Sequence, residues 1–294
     1  MKDAAAASSY FADTRQPVAD LRAPLNFIER QDTKPVLSKP VSHSATLTGG
    51  DIKHFFDFEA HVVPISDMRE IAGALSVDRE GFELLKHTTA VSDLYDDDAV
   101  EQTYISEIEA LLRRRFCASR VVIFDVKRRS DGESRAQKPE GLGGPARRAH
   151  VDYTTKSGPQ RTKDILGEDE AERLAESGAR IMQFNVWRPI RGPVERSPLA
   201  LADASSVAPE DLIASDNVFP DRVGEIYHLA HAPSQRWYYA PHMTPDEVLL
   251  IKGWDSLDDG RARYTPHTSF NSPETRDDAP PRESIELRTL VIVE

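Results

Sequence analysis

Arg147-Arg148-Ala149-His150-Val151-Asp152-Tyr153-Thr154 is the stretch from which the rest of the sequence can be interpreted. His150 and Asp152 are two positions apart, so on a β-strand, where side chains alternate between faces, both point to the same side. An imidazole and a carboxylate can hold one cation between them, and two histidines with one carboxylate are typical of non-haem Fe(II) oxygenases. By itself the pattern also fits a solvated strand end, because the chain has nine histidines. A second histidine is therefore needed.

Four histidines after Asp152 are candidates for that position: His228, His231, His242 and His267. His228 and His231 are three residues apart, which would bring them together on a helix but not on the strand that Tyr227-His228-Leu229 predicts. His242 follows Pro241 at a predicted turn, which favours a surface position. His267 begins a late predicted strand.

Two arginines follow His267 on the last predicted strand. Arg282 begins that strand, and alternation places Ser284, Glu286 and Arg288 on the same face as Arg282. An enzyme with an open Fe(II) site needs a bound reductant, and an arginine offers a two-pronged fork for the far carboxylate of a dicarboxylate. A solvated strand edge is the alternative explanation for these charges.

The pattern of apolar segments favours a mainly β protein with flanking helices. A helix is expected from about residue 99 and another over Ile165 to Ser177, with buried strands over 120–126 and 180–190. So many strands, with helices mostly before them, favour a β-sandwich or jelly roll over alternating β/α units. Residues 1–45 have little periodicity and are interpreted as an extended arm, with one domain over residues 46–294.

Composition limits the classes of partner and the compartment. The formal net charge of −12 argues against nucleic acid and anionic membranes as partners. Cys117 is the single cysteine, which excludes an internal disulfide and fits a reducing compartment. No apolar run reaches the length of a membrane span, and the first residues lack a signal-peptide core. The sequence therefore predicts a soluble, cytoplasmic protein that acts on a small molecule.

A set of short phrases in a fixed order resembles a known family. The order His-x-Asp, distal His and late Arg looks like the Fe(II)/2-oxoglutarate-dependent oxygenases, whose fold is a double-stranded β-helix of the jelly-roll, cupin-like type. More narrowly, the chain resembles a hydroxylase/desaturase family of fungal secondary metabolism that includes a cephamycin methoxylation component. The resemblance covers about residues 50–294. The phrases are Asn185-Val186-Trp187-Arg188-Pro189, Gly192-Pro193-Val194, Pro198-Leu199-Ala200, Arg236-Trp237-Tyr238-Tyr239, residues 247–252 with Asp255-Ser256, His267-Thr268-Ser269-Phe270, and Pro281-Arg282-Glu283-Ser284-Ile285-Glu286-Leu287-Arg288.

The resemblance implies a function and a set of site residues. It implies an enzyme that uses Fe(II), 2-oxoglutarate and O2 to hydroxylate or desaturate a small organic molecule. His150, Asp152 and His267 would be the catalytic iron ligands, and Arg282 would bind 2-oxoglutarate, with Arg288 as the alternative. Asn185 matches a family phrase and is a candidate co-substrate contact. Tyr153, Trp237 and Tyr239 are candidates for the wall of the substrate pocket.

Two other classes of protein remain as alternatives. A Zn(II) hydrolase can use the same two histidines and carboxylate with a metal-bound water as nucleophile, but it gives no reason for the late arginine. A non-catalytic β-sandwich binding protein explains the apolar strands and needs no metal. The second alternative would gain support if His267 were far from His150.

Overall fold

The computed structural model describes residues 21–38, 53–132 and 143–294. Two β-sheets form the framework of the fold, one with ten strands and one with five, and helix packing covers the outer face of the smaller sheet. This two-sheet arrangement agrees with the predicted jelly roll. No helix within the described ranges is long and apolar enough to cross a membrane.

The helices and strands alternate irregularly along the chain. The strands are β1 (Leu21–Ile28), β2 (Val36–Ser38), β3 (Lys53–His54), β4 (Phe58–Asp67), β5 (Phe82–Lys86), β6 (Arg120–Ser130), β7 (His150–Val151), β8 (Arg180–Pro189), β9 (Leu199–Ala202), β10 (Leu212–Val218), β11 (Val223–Leu229), β12 (Trp237–Tyr239), β13 (Glu247–Asp255), β14 (His267–Ser269) and β15 (Glu283–Val293). The α-helices are α1 (Asp97–Ala99), α2 (Ile105–Phe116), α3 (Ser157–Leu166) and α4 (Glu168–Glu176). A π-helical turn, Val100–Tyr104, joins α1 to α2, and short 3-10 helices lie at Met68–Ile71, Ala204–Ser206 and Pro209–Asp211.

The larger sheet has the strand order β1-β4-β12-β9-β14-β7-β11-β10-β2-β3. Part of the segment interpreted as an arm belongs to it, because β1 pairs antiparallel with β4 along its whole length. The alternation of buried and exposed residues in β1 shows why: Leu21, Ala23 and Leu25 point into an apolar cluster that Phe27 completes. The boundary predicted at residue 45 lies outside the described ranges, as do the other residues of 39–52. Residues 1–20 lie outside the described ranges.

The smaller sheet has the strand order β5-β13-β8-β15-β6, so β8 and β15 are central. The predicted alternation in β8 is present. Met182, Phe184 and Val186 point outward into one core cluster, while Trp187 points inward into another. Gln183 and Asn185 share the inward face and are almost fully buried, so each needs a hydrogen-bond partner.

Helix α2 covers the outward face of the smaller sheet. Its buried residues Ile108 and Leu112 follow Tyr104 at helical spacing and pack against β8 and β15. Burial of side chains of this size contributes about 2 kcal/mol each. The predicted helix near residue 99 is confirmed, although it includes the π-helical turn.

The helix predicted over residues 165–177 is in fact two helices. Gly167 has a φ of 87°, which breaks the helical path between α3 and α4. Helix α3 begins at Ser157, within a segment for which the sequence predicted no helix. Gly158 lets α3 approach the smaller sheet closely, because a Cβ there would stand 2.5 Å from the ring of Trp254.

A buried ionic cluster links strand ends at one end of the smaller sheet. Lys252 is fully buried and bonds to Asp78 and Asp255 at 2.8 Å each. Arg180 also contacts both carboxylates, and Arg261 contacts Asp78 from the surface. Each buried charge is therefore paired, as its desolvation requires.

Candidate functional site

His150 and His267 lie side by side on adjacent strands of the larger sheet. They are directly opposed in the short pairing of β7 with β14, and their ring centroids are 4.5 Å apart. Both face the interior between the sheets, since Leu201, which is opposite His267, belongs to the core cluster that includes Trp187. The structure therefore brings together the two histidines that the sequence placed more than a hundred residues apart.

Each of the two rings is held by a carbonyl oxygen two residues earlier in the chain. Nδ1 of His150 is 2.8 Å from the oxygen of Arg148, and Nδ1 of His267 is 3.0 Å from the oxygen of Thr265. Because a carbonyl oxygen only accepts, Nδ1 carries the proton and Nε2 is left with a lone pair. Burial, together with the neighbouring His267, lowers the pKa of His150 to about 4, so this ring is neutral at pH 7.

The carboxylate of Asp152 lies beside His150, with Oδ1 3.8 Å from Nε2. Asn185 Nδ2 donates to Oδ2 at 2.5 Å, and Arg288 contacts Oδ1 at 3.3 Å. Burial alone would raise the pKa of Asp152, but Arg288, the histidines and Asn185 together hold it well below its usual range. Asp152 is therefore an ionised acceptor, and Asn185 contacts it directly.

These three side chains have the donor atoms of an Fe(II) site. Two imidazoles with anchored Nδ1–H groups and one ionised carboxylate suit Fe(II) or Zn(II). In the described part of the chain, however, no three His, Cys, Asp or Glu side chains are drawn together into a complete set of ligands. Asp152 is held by Arg288 and Asn185 beside the histidine pair. By their chemistry these residues fit the metal, which His150, Asp152 and His267 would hold.

Arg282 is a buried arginine that no described carboxylate neutralises. Its Nη1 donates to the carbonyl oxygen of Ser197 at 3.0 Å, its guanidinium lies 5.7 Å from the ring centroid of Trp187, and its Nε has no hydrogen-bond partner. Burial, with Arg129 nearby, lowers the pKa of Arg282 to about 9. The group is still charged at pH 7, so it can bind an external carboxylate strongly.

Arg288 has different surroundings from Arg282. It lies opposite Asn185 in the pairing of β15 with β8, and it contacts Asp152 at 3.3 Å and Glu286 at 3.2 Å. Burial alone would lower the pKa of Arg288, but the carboxylates of Asp152 and Glu286 have the larger effect and hold it well above its usual value. Arg288 is therefore already neutralised by carboxylates of the chain itself.

One cleft joins all of these side chains. Its empty volume is about 340 Å³, part of which is open to solvent. It is lined by Arg129, Ala146, His150, Asp152, Trp187, Leu199, His267, Arg282, Glu286 and Arg288. Every metal-ligand and arginine candidate from the sequence thus lines one space, and Asn185 stands behind Asp152.

The sequence interpretation missed Arg129 and chose the wrong aromatic residues for the pocket wall. Arg129 looked like part of a short basic run, and only its pairing opposite Ser284 shows that it faces the cleft. Trp237 and Tyr239 belong to the apolar cluster on the other face of the larger sheet, and Tyr153 packs against Trp254 in a third cluster. Trp187 is the aromatic residue of the cleft.

The remaining histidine candidates lie away from the ligand set. His228 is opposite His150 on β11, but its ring packs against Phe56 and Phe58, and its Nδ1 is 2.9 Å from Ser215 Oγ. His231 stacks on His61 in another cluster. His242 is exposed, as predicted.

A family model and several curated relatives match most of the chain. The family model, described as an oxidoreductase/YMDC permease-like domain, matches residues 25–292. The hydroxylase/desaturase efuI of Hormonema carpetanum is 33% identical over 81% of this chain and 85% of its own length. The Fe(II)/2-oxoglutarate-dependent dioxygenase nvfI of Aspergillus novofumigatus is 32% identical over 82% of this chain and 87% of its own. The hydroxylase/desaturase asaB of Aspergillus flavus is 44% identical over 45% of this chain and 63% of its own.

A solved structure has the same overall fold. The iron and alpha-ketoglutarate-dependent endoperoxidase NvfI superposes with a TM-score of 0.78 at 29% sequence identity, covering 92% of this chain and 97% of the other. This match confirms the predicted jelly-roll fold. The narrower likeness to a cephamycin methoxylation component stays a prediction.

Proposed function

This chain belongs to the oxidoreductase family that includes these Fe(II)/2-oxoglutarate-dependent dioxygenases and hydroxylase/desaturases, and from that premise we propose that the cleft is its active site. The enzyme is a non-haem iron, 2-oxoglutarate-dependent dioxygenase that hydroxylates or desaturates a small organic molecule in secondary metabolism. His150, Asp152 and His267 hold the iron, and Arg282 binds 2-oxoglutarate.

Arg282 is the observation that carries this proposal. It is a charged, buried side chain in the same cleft as the histidine pair, and none of the described carboxylates forms an ion pair with it. A Zn(II) hydrolase gives no reason for such a group. A binding protein without a metal gives no reason for two adjacent histidines whose Nδ1 atoms both meet carbonyl oxygens. A bound dicarboxylate supplies the missing counter-charge for Arg282.

The side chains of the cleft bind and orient the reactants. Arg282 holds the far carboxylate of 2-oxoglutarate, while Trp187 and Leu199 exclude water along its length. Asn185 and Arg288 orient the carboxylate of Asp152, and the carbonyls of Arg148 and Thr265 fix the two imidazoles. The iron and its co-substrates supply the oxidation, in which O2 and the decarboxylation of 2-oxoglutarate to succinate and CO2 drive oxidation of a substrate C–H bond.

An anaerobic titration tests this assignment. Fe(II) and then 2-oxoglutarate are added to the apoprotein while the weak visible band of an iron-bound keto acid is recorded. We expect the band in the wild type and its loss in His267→Ala, because one of two imidazole ligands is removed. His242→Asn is the matched control, since His242 is exposed and its φ of 46° suits asparagine. A wild type without the band contradicts the function, and a band in His267→Ala contradicts the ligand.

A further inference from the structure

Arg129 is a second arginine of the cleft that lacks a carboxylate partner. Its strand position is opposite Ser284, so it faces the same interior space as Arg282 and His150. Nη1 donates to the carbonyl oxygen of Gly144 at 3.0 Å, and across the described ranges no carboxylate forms an ion pair with the group. It is half-buried, whereas Arg282 is only 3% exposed. The remaining guanidinium donors of Arg129 are therefore available to a ligand.

Arg129 also acts on its neighbours through its charge. It lowers the pKa of Arg282, and both guanidinium groups line the same cleft. Two like charges facing one partly desolvated space repel each other unless anions separate them. An anion beside each arginine would therefore relieve their mutual repulsion.

2-Oxoglutarate alone does not supply an anion for both unpaired arginines of the cleft. Arg288 contacts Asp152, Glu286 and, at 3.9 Å, Asp125, so carboxylates of the chain itself neutralise it. Arg129 and Arg282 have no ion pair with any described carboxylate. Since the keto-acid end of 2-oxoglutarate is directed at the metal, its single far carboxylate can satisfy Arg282 but not Arg129 as well.

We propose that the substrate carries a carboxylate and that Arg129 binds it. This inference rests on the proposed function and adds the chemical class of the substrate. The carboxylate accepts two hydrogen bonds from the donors of Arg129 that are not used by Gly144. Arg129 selects the substrate by charge, while Arg282 serves the co-substrate.

The test compares an acid with its uncharged amide. The probes are 3-phenylpropionate and 3-phenylpropanamide, titrated anaerobically by calorimetry into protein loaded with Fe(II) and saturating 2-oxoglutarate. We expect the wild type to bind the acid roughly 10- to 100-fold more tightly than the amide, the factor expected for a hydrogen-bonded charge. Arg129→Gln should abolish that preference, and Arg129→Lys should keep part of it. Arg120→Gln removes the same charge from an exposed position on the same strand and should bind like the wild type.

The outcomes separate this inference from the proposed function. The visible band of the iron-bound keto acid is recorded first in the same samples, and its absence in the wild type overturns the function. If the band is present, equal binding of acid and amide, or no binding of either, overturns the inference. Displacement of 2-oxoglutarate by the acid also overturns the inference, and so does a loss of 2-oxoglutarate affinity in Arg129→Gln. Thermal melting of Arg129→Gln establishes that the variant is folded.

Discussion

At the scale of single residues, two arginines of the last strand region differ in what lies beside them: Arg282 stands just before β15, and Arg288 lies within it. Arg282 has a carbonyl oxygen and an aromatic ring beside it, while Arg288 contacts the carboxylates of Asp152 and Glu286. We therefore propose different purposes for the two side chains: Arg282 binds an external anion, whereas Arg288 acts on the chain's own Asp152.

This difference predicts opposite effects on two affinities. Arg282→Gln should weaken 2-oxoglutarate binding roughly 10- to 100-fold, because a charge-assisted pair is lost, and should leave Fe(II) affinity little changed. Arg288→Gln should instead lower Fe(II) affinity roughly 10-fold, because Asp152 loses a partner that orients it. Both constants are measured by anaerobic calorimetry. Arg276→Gln, on an exposed loop, is the control. The reverse pattern would assign 2-oxoglutarate to Arg288.

The sequence predicted the ligand and arginine candidates because their spacing follows local rules. Side chains two positions apart on a strand point to the same side. This rule paired His150 with Asp152, and Arg282 with Arg288, and all four side chains line one cleft. Which arginine is unpaired was not predictable, because it depends on Asp152 reaching across from the other sheet. Arg129 was missed for the same reason. Its role depends on pairing with β15, more than a hundred and fifty residues later.

At the scale of secondary-structure elements, the packing of α3 depends on a glycine. Gly158→Ala should destabilise the fold by about 1–3 kcal/mol, because the new methyl group meets the rigid ring of Trp254. Thermal melting measures the loss. Gly73→Ala is the matched control, since no atom lies within 4 Å of a Cβ at that exposed position. A Gly158→Ala protein as stable as the wild type would show that α3 can move away from the sheet without cost.

The elements also show where periodicity fails as a guide. Long segments with a clear apolar face, such as α2 and β8, were predicted because packing and local pattern agree. Helix α3 was missed because it contains glycine and proline and has few apolar residues, and its position is set by contact with Trp254. Strand β1 was missed because its alternation is short and its partner β4 begins thirty residues later.

At the scale of the whole molecule, the buried ionic cluster makes stability depend on pH. Burial alone would raise the pKa of Asp78, but Arg180 and Lys252 hold it far below its ordinary value of 3.8. A group whose pKa is lower in the folded state stabilises the fold above its unfolded pKa, and this contribution is lost progressively as the pH falls from that value toward the folded pKa. Acid should therefore loosen the end of the sheet that the cluster joins.

Asp78→Asn tests this dependence. We expect the variant to melt below the wild type at pH 7, and the difference to shrink as the pH is lowered from about 5 to 3, because Asp78 then binds a proton in the unfolded wild-type chain but not in the folded one. Melting curves across this range measure the difference. Asp277→Asn, on an exposed loop, should follow the wild type at every pH. A constant gap between the melting temperatures of Asp78→Asn and the wild type would mean that Asp78 does not titrate in this range.

The position of β15 has a consequence for the order in which the protein matures. β15 is the last of the strands to leave the ribosome, yet it lies in the middle of the smaller sheet, between β8 and β6. Until it is synthesised, these two strands have no partner in common, and the arginine-bearing wall of the cleft does not exist. The cleft can therefore close only after segments that are far apart in the sequence have paired, which makes its assembly a slow, late step of folding.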